Sequence, residues 1–269
     1  MKSRNYLSIL ARKITCNSLV YKIYEKTLWN QIKGGMVPAH IGVILDGNRR
    51  WASERYIPSW TGHRFGADKV DDLLNWCLDL KVKTVTLYVF STENFNRPEK
   101  EVQEIMHLFN ERLKTVFSNE RIHKNRVKIR AIGRINLLPE STQQLIRSVE
   151  EYTREYDQHY LNMAVAYGGR AEIVDATKKI IEEVKAGKIS SDNIDEETIE
   201  EHLYTSYLPK SDPDIIIRTS GEERLSGFLL WQGAYSELCF VDVFWPDFRR
   251  IDLWRAIRTY QQRERRYGT

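Results

Sequence analysis

The stretch GVILDGNRRWA, residues 42–52, ends an apolar run at one acid, Asp46, then adds Gly47, Asn48, Arg49 and Arg50 before Trp51. A carboxylate beside two guanidiniums suits an anion that arrives with a metal ion. Guanidinium forks match phosphate oxygens in pairs, and the carboxylate takes the cation. The same residue types recur after other apolar runs. Ser91-Thr92-Glu93-Asn94-Phe95-Asn96-Arg97 is one such loop, Gly133-Arg134 a second and Gly168-Gly169-Arg170 a third. The longest is Arg218-Thr219-Ser220-Gly221-Glu222-Glu223-Arg224-Leu225-Ser226, and Glu237 lies near the start of the next run. Any one of these loops is an ordinary solvated connector. Five in succession that carry Arg with Gly or Asn describe a site for at least one phosphate group, with arginines enough for two.

The elements that must position these loops are legible as alternating apolar and amphipathic runs. Strands are expected at 40–45, 84–90, 127–132, 161–167, 214–219 and 238–243. Helices are expected at 66–80, 99–117, 139–156, 171–186, 195–203 and 253–264, and a loop with a helical turn at 221–236. This alternation gives an α/β fold: a single domain, residues 36–269, with a mostly parallel six-stranded sheet surrounded by helices. Ligands in such sheets sit at the carboxyl ends of the strands, where the loops above fall.

Residues 1–35 form a separate N-terminal helical arm. Leu7, Leu10, Ile14, Tyr21, Tyr24, Leu28 and Ile32 recur there at helical spacing, and Gly34-Gly35 ends the pattern. The arm carries seven Lys/Arg and one acid, Glu25, which leaves 34 Lys/Arg against 36 Asp/Glu in the rest of the chain. The overall charge of +4 is thus a property of the arm, and no basic stripe on the body points to nucleic acid. An amphipathic basic helix packs on protein, rests on an anionic membrane surface or serves as a targeting peptide. No apolar run reaches the roughly 18 residues of a membrane span. Cys16, Cys77 and Cys239 are scattered, with neither disulfide-framework nor metal-ligand spacing, as in a reducing, cytoplasmic setting.

Several phosphate chemistries are excluded by pattern. There is no G-x-x-x-x-G-K-[ST] and no G-x-G-x-x-G after the first strand. A covalent aspartyl-phosphate needs a second Asp two positions along, and Ile44 stands two before Asp46. Asp46 and Glu237 remain as candidate Mg²⁺ ligands, because Mg²⁺ is usually held by one or two carboxylates plus substrate phosphates. On local grounds alone, Glu237 reads as an ordinary charge at a strand start.

HIGVILDGNRRWA, the Gly62-His63 pair, FSTENFNRP, IRTSGEERLSGFLLWQGAYSEL, DVFWPDF and RERRYG together resemble the cis-prenyltransferases, the undecaprenyl diphosphate synthase family. The likeness runs in order from Pro38 to Gly268, and the Arg-Arg form and the arm are closest to archaeal and eukaryotic members. The resemblance implies an enzyme that joins isopentenyl diphosphate to an allylic diphosphate such as farnesyl or geranylgeranyl diphosphate, making Z double bonds. It also implies an apolar tunnel, Mg²⁺ and a homodimer.

By position, Asp46 would bind Mg²⁺ and assist departure of diphosphate, and Glu237 would complete the metal site. Gly47, Asn48, Arg49, Arg50 and Trp51 would surround the allylic diphosphate, with His63, Phe95 and Arg97 nearby. Arg218, Arg224, Leu225 and Ser226 would hold isopentenyl diphosphate. Ser91, Thr92 and Glu93 would belong to a loop closing on substrate, and Asn94 would sit where the proton leaves. Arg266 and Gly268 would reach into the neighbouring subunit's site. The helices carrying Val70, Leu74 and Cys77, and Val102, Ile105, Met106, Phe109, Leu113 and Val116, would line the tunnel.

Two positions depart from the bacterial pattern: Ser59 stands where an Arg precedes Gly-His, with Arg49 as the substitute, and Phe95 replaces a Trp. A non-catalytic prenyl-diphosphate-binding subunit is the alternative reading. Retention of Asp46, Asn94 and Arg218 speaks against it.

Overall fold

A computed structural model describes residues 19–263; Arg266, Gly268 and the first part of the arm's stripe lie outside the described residues. The main unit, Pro38–Phe248, is built on six parallel strands. These are β1 (His40–Ile44), β2 (Thr84–Ser91), β3 (Val127–Ile132), β4 (His159–Tyr167), β5 (Ile215–Arg218) and β6 (Glu237–Phe240), in the order β3-β4-β2-β1-β5-β6. All six expected strands form, because strands covered on both faces show as near-continuous apolar runs. β1 and most of β2 and β4 are buried. The chain leaves β1 towards β2 on one side and later returns to pair β5 on the other. β1 is therefore the switch point of the sheet, and the crevice beyond its carboxyl end is where a ligand fits. Ile44, Tyr88 and Arg218 stand at one level there.

The helices of this unit are α2 (Asn48–Glu54), α3 (Ser59–Asp79), α4 (Glu99–Thr115), α5 (Glu120–Lys124), α6 (Glu140–Tyr152), α7 (Gly169–Lys185) and α8 (Glu196–His202). Three differ from the sequence expectation. Residues 48–54 are helical rather than loop, and α3 begins at Ser59 rather than Gly66. Gly62 and Gly66 hide this start, since glycine costs a helix about 1 kcal/mol. Their reason is tertiary: a Cβ on Gly62 would stand 2.2 Å from the Asn48 carbonyl oxygen, and one on Gly66 2.3 Å from Asn48 Oδ1. The glycines let α3 seat Asn48. Residues 221–236 form a run of turns that includes the expected helical turn, with the Gly233 N–H donating to the Leu229 carbonyl at 2.7 Å, and α5 was not foreseen.

The other unit groups the described parts of Met1–Val37 and Arg249–Thr269. In it α1 (Leu19–Ile32) packs on α9 (Arg250–Gln262). Trp29 and Trp254 meet at 5.2 Å between ring centroids, and Arg250 pairs with Glu25 at 3.2 Å. The Gln261 amide donates to the carbonyls of Ile32 and Met36, closing the end of α1. Leu28 and Ile32 of the expected stripe are buried, while Val20, Ile23 and Tyr24 are exposed. Among the described residues, no helix is long and apolar enough to cross a membrane.

A buried polar line crosses the sheet. His40 Nε2 lies 2.7 Å from the Thr86 hydroxyl, which accepts from the Asn162 amide at 2.9 Å. Burial pushes His40 down to about 4, against the opposing pull of Asp214. Its ordinary value is 6.5, so the unfolded chain takes up a proton between these limits that the folded chain refuses. Stability should therefore be complete above pH 6.5 and fall by about 3 kcal/mol as the pH drops to 4. Urea unfolding midpoints across this range check it, and a flat profile would contradict a neutral buried His40.

Candidate active site

Asp46 follows β1 in a tight turn, with its N–H on the Ile44 carbonyl and on Thr219 Oγ1. Thr219 Oγ1 also lies 2.7 Å from the Asp46 carbonyl oxygen, lacing the ends of β1 and β5 together. Gly47 then adopts φ +106°, and a Cβ there would meet Phe244 at 2.7 Å. This turn starts α2 and leaves the amides of its first residues without intrahelical acceptors.

The Asp46 carboxylate receives Arg218 at 2.7 Å and Arg50 at 3.5 Å, both on Oδ2. Arg218 is 4% exposed. Burial acts to raise the Asp46 carboxyl, but the hydrogen bond and charge of Arg218, with Ser220 and Arg50, outweigh it and hold it below its ordinary value. Asp46 is thus an ionised carboxylate at a wall of guanidiniums. Arg218 also donates to the Ser226 hydroxyl at 2.7 Å and to the Arg224 carbonyl. Ser226 holds a left-handed φ of +49°, and its carbonyl accepts from the Tyr88 hydroxyl at 3.2 Å. Arg50 bridges Ser220 at 2.6 Å and Glu222 at 3.0 Å, and Arg224 pairs with the same Glu222.

A second cluster forms around a residue the sequence reading missed. Glu101, on α4, receives Arg97 at 3.2 Å, His63 at 3.3 Å and Arg49 at 3.6 Å, all on one oxygen, with its side chain 9% exposed. Arg49 thus joins His63 and Arg97 from the α2 side. Burial lowers His63 against the pull of Glu101, so the ring is neutral near pH 7. Locally Glu101 reads as an i,i+4 partner of Arg97; only tertiary structure shows its other two partners.

Asp46, Asn48, His63, Ser91, Thr92, Glu93, Asn94, Arg97, Arg218 and Ser226 line one cavity of about 1140 Å³. It continues between the sheet and helices α3 and α4 along Val70, Leu74, Cys77, Ile105, Phe109, Leu113 and Val116, as expected of the tunnel. Leu108 lines it too, whereas Val102 and Met106 do not. The remaining predicted residues support the mouth from behind. Trp51 is buried against Phe65 with Arg55 stacked on it, Phe95 packs edge-on to Phe90, and Leu225 packs on the core beneath the Arg218 loop. Asn94 Oδ1 accepts the Ser91 N–H at 3.1 Å in a capping box, so here Asn94 shapes the turn.

The paired metal ligands need correction. Glu237 stands opposite Ile215 at the amino end of the sheet. Arg218 is three residues further along β5, about 10 Å at the rise of a strand, and Asp46 lies beyond that level. Glu237 and Asp46 of one chain therefore do not share an ion. Among the described residues, no group of three His, Cys, Asp or Glu is placed to hold a metal. Asp46 alone, ionised beside Arg218 and Arg50 and lining the cavity, fits the usual Mg²⁺ arrangement of a protein carboxylate plus substrate oxygens.

A family model described as "Putative undecaprenyl diphosphate synthase" matches residues 44–268. A tritrans,polycis-undecaprenyl-diphosphate synthase (geranylgeranyl-diphosphate specific) of Methanopyrus kandleri is 55% identical over 93% of this chain and 91% of its own. One of the same description from Methanocaldococcus jannaschii is 52% identical over 94% and 90%. Among solved structures, lavandulyl diphosphate synthase from Lavandula x intermedia, in complex with dimethylallyl diphosphate, superposes with a TM-score of 0.83 at 35% identity, covering 87% of this chain and 99% of that one. A probable undecaprenyl diphosphate synthase from Campylobacter jejuni gives 0.70 at 32%, covering 86% and 99%. The chain belongs to the undecaprenyl diphosphate synthase family of cis-prenyltransferases. It is a prenyl-transferring enzyme, a polyprenyl diphosphate synthase.

If Glu101 holds Arg97, His63 and Arg49 in place, Glu101→Gln should raise the KM for the allylic primer about 10-fold and leave that for isopentenyl diphosphate unchanged. In the parent enzyme, any inflection of kcat/KM due to His63 should fall below pH 6.5, because burial lowers the ring from its ordinary value. Steady-state kinetics across pH test both; an unchanged or lower primer KM would show Glu101 to be a bystander.

Proposed function

We propose that this enzyme is Mg²⁺-dependent and condenses isopentenyl diphosphate with geranylgeranyl diphosphate, or with farnesyl diphosphate as a lesser primer, into a long-chain Z-polyprenyl diphosphate. The product would be the precursor of a glycosyl-carrier lipid. The observation that carries the reading is one ionised carboxylate, Asp46, between two cationic groups at the mouth of an apolar cavity. The twenty-carbon primer follows the specificity named for the two archaeal relatives.

The chemistry divides between the two groups. Arg49, Arg50, Arg97, His63 and Asn48 surround the allylic diphosphate, with its prenyl tail in the cavity. Arg218, Arg224 and Ser226 hold the diphosphate of isopentenyl diphosphate. Two fixed anion sites set the alkene carbon of one substrate against the allylic carbon of the other, which can supply about 7–11 kcal/mol of the barrier in favourable cases. The bond that breaks leaves charge on a diphosphate oxygen, and the guanidiniums stabilise it as it develops. Asp46 would hold Mg²⁺, which would supply further neutralisation of phosphate charge. Since Asn94 Oδ1 is committed to Ser91, the departing diphosphate is the better acceptor for the proton lost from isopentenyl diphosphate.

Homodimerisation and peripheral contact with an anionic membrane are part of the proposal. The first rests on the likeness of Arg266 and Gly268 to the family's terminal motif. The second rests on the arm's excess of basic residues and on exposed Val20, Ile23 and Tyr24. A reducing, cytoplasmic location accords with the scattered cysteines. The alternative, a non-catalytic subunit, lacks support because Asp46, Arg218 and Ser226 form a connected set.

One purified preparation tests these points. Given labelled isopentenyl diphosphate, Mg²⁺ and primers of ten, fifteen or twenty carbons, it should make butanol-extractable label, most with the twenty-carbon primer. Light scattering should give twice the chain mass, and anionic vesicles should co-sediment it. No extractable label with any primer would defeat the catalytic reading. A monomer mass, or protein left in the supernatant, would defeat the corresponding part.

A further inference from the structure

The side wall of the cavity carries charges that the proposed chemistry leaves unused. α3 and α4 both run away from the mouth, and polar pairs join them down their seam. Near the mouth is His63 with Glu101. Eight residues further along α3, about 12 Å at helical rise, Arg112 of α4 binds Asp71 at 3.1 Å and also binds Asp68. Deeper still, Arg121 of α5 binds Asn75. Asp71, Asn75, Arg112 and Arg121 all line the cavity, among Leu74, Leu108 and Leu113.

Arg112 connects inside to outside. It lines the cavity, yet one of its partners, Asp68, is 59% exposed and lies outside the lining. Arg112 itself is 33% exposed and Asp71 57%, so at this level the side chains that line the cavity also meet water. A surface ion pair of this kind contributes little to stability. Its position gives it another use. Cavity-lining charges face a hydrocarbon tail, and a paired guanidinium is far less costly there than an unpaired one.

We infer that the Arg112–Asp68–Asp71 clasp determines product length by sealing the seam between α3 and α4. This rests on the polyprenyl synthase reading of the same cavity. A tail that lengthens by one five-carbon unit per cycle stops when it fills a closed space. A seam that parts under the tail gives it a side exit and removes the stop. The clasp holds the two helices together at mid-depth while leaving the mouth, with Asp46 and Arg218, untouched.

The test is the product ladder. Arg112→Met keeps the aliphatic stem and removes the charge; the double variant Asp68→Asn with Asp71→Asn removes the partner charges at nearly constant volume. Both should shift the dominant product upward by at least one five-carbon unit, with the KM for both substrates within about 2-fold of the parent. Arg112→Lys, which restores a cation, should return the parent ladder. Arg147→Ala, which breaks an exposed pair with Glu140 away from the cavity, should leave the ladder unchanged. Circular dichroism melting confirms that each variant is folded. An unchanged or shortened ladder in Arg112→Met, or a shift in only one of the two clasp variants, would overturn the inference. A parent enzyme that makes no polymer would instead overturn the function on which it rests.

Discussion

The pairing of Arg218 with Asp46 is the constraint around which the site is arranged. A guanidinium that is 4% exposed must have its charge met by a partner. Arg218 ends β5, Asp46 follows β1, and these strands are neighbours in register, so the ion pair closes the switch point of the sheet. The β1, β2 and β5 side of the mouth is tied to it. Thr219 laces the two strand ends, Ser226 takes a second guanidinium nitrogen, and Tyr88 fixes Ser226 from β2. The same contact keeps Asp46 ionised despite its burial. Fold and chemistry thus meet in one interaction: the cation that makes the carboxylate tolerable also belongs to the anion site beside it.

The second cluster uses opposite charges to the same end. Glu101 is a nearly buried carboxylate with two guanidinium partners and one neutral imidazole, drawn from α2, α3 and the loop before α4. It gathers groups that would otherwise repel one another, and so stores a cationic pocket that a diphosphate can enter without first assembling it.

Some of this was legible in the sequence and some was not, for identifiable reasons. The six strands stood out because a doubly covered parallel sheet buries almost every residue of its strands. The arginine loops stood out because they recur after successive strands. The start of α3 was hidden, since Gly62 and Gly66 serve a contact with Asn48 that no local pattern records. The pairing of α1 with α9 joins distant parts of the chain and leaves no local sign. Glu237 was misplaced for an instructive reason. It opens β6, and in a parallel sheet the opening of a strand lies at the end opposite the ligand crevice, so its polarity belonged to the wrong rim. Glu101 went unseen because its local spacing to Arg97 is that of a common helical ion pair.

The central claim is that the ionised Asp46 carboxylate acts on the reacting diphosphate, and is more than a counter-ion for Arg218. Asp46→Asn separates these roles, since an amide oxygen still accepts from Arg218 but carries no charge. The most direct measurement is the single-turnover rate of prenyl transfer in this variant, with primer affinity measured by calorimetry and folding by circular dichroism. The account predicts a folded protein that binds primer within a few-fold of the parent and transfers at least about 100-fold more slowly. A folded variant that keeps more than about a tenth of the parent rate, a loss under ~1.4 kcal/mol, would contradict it.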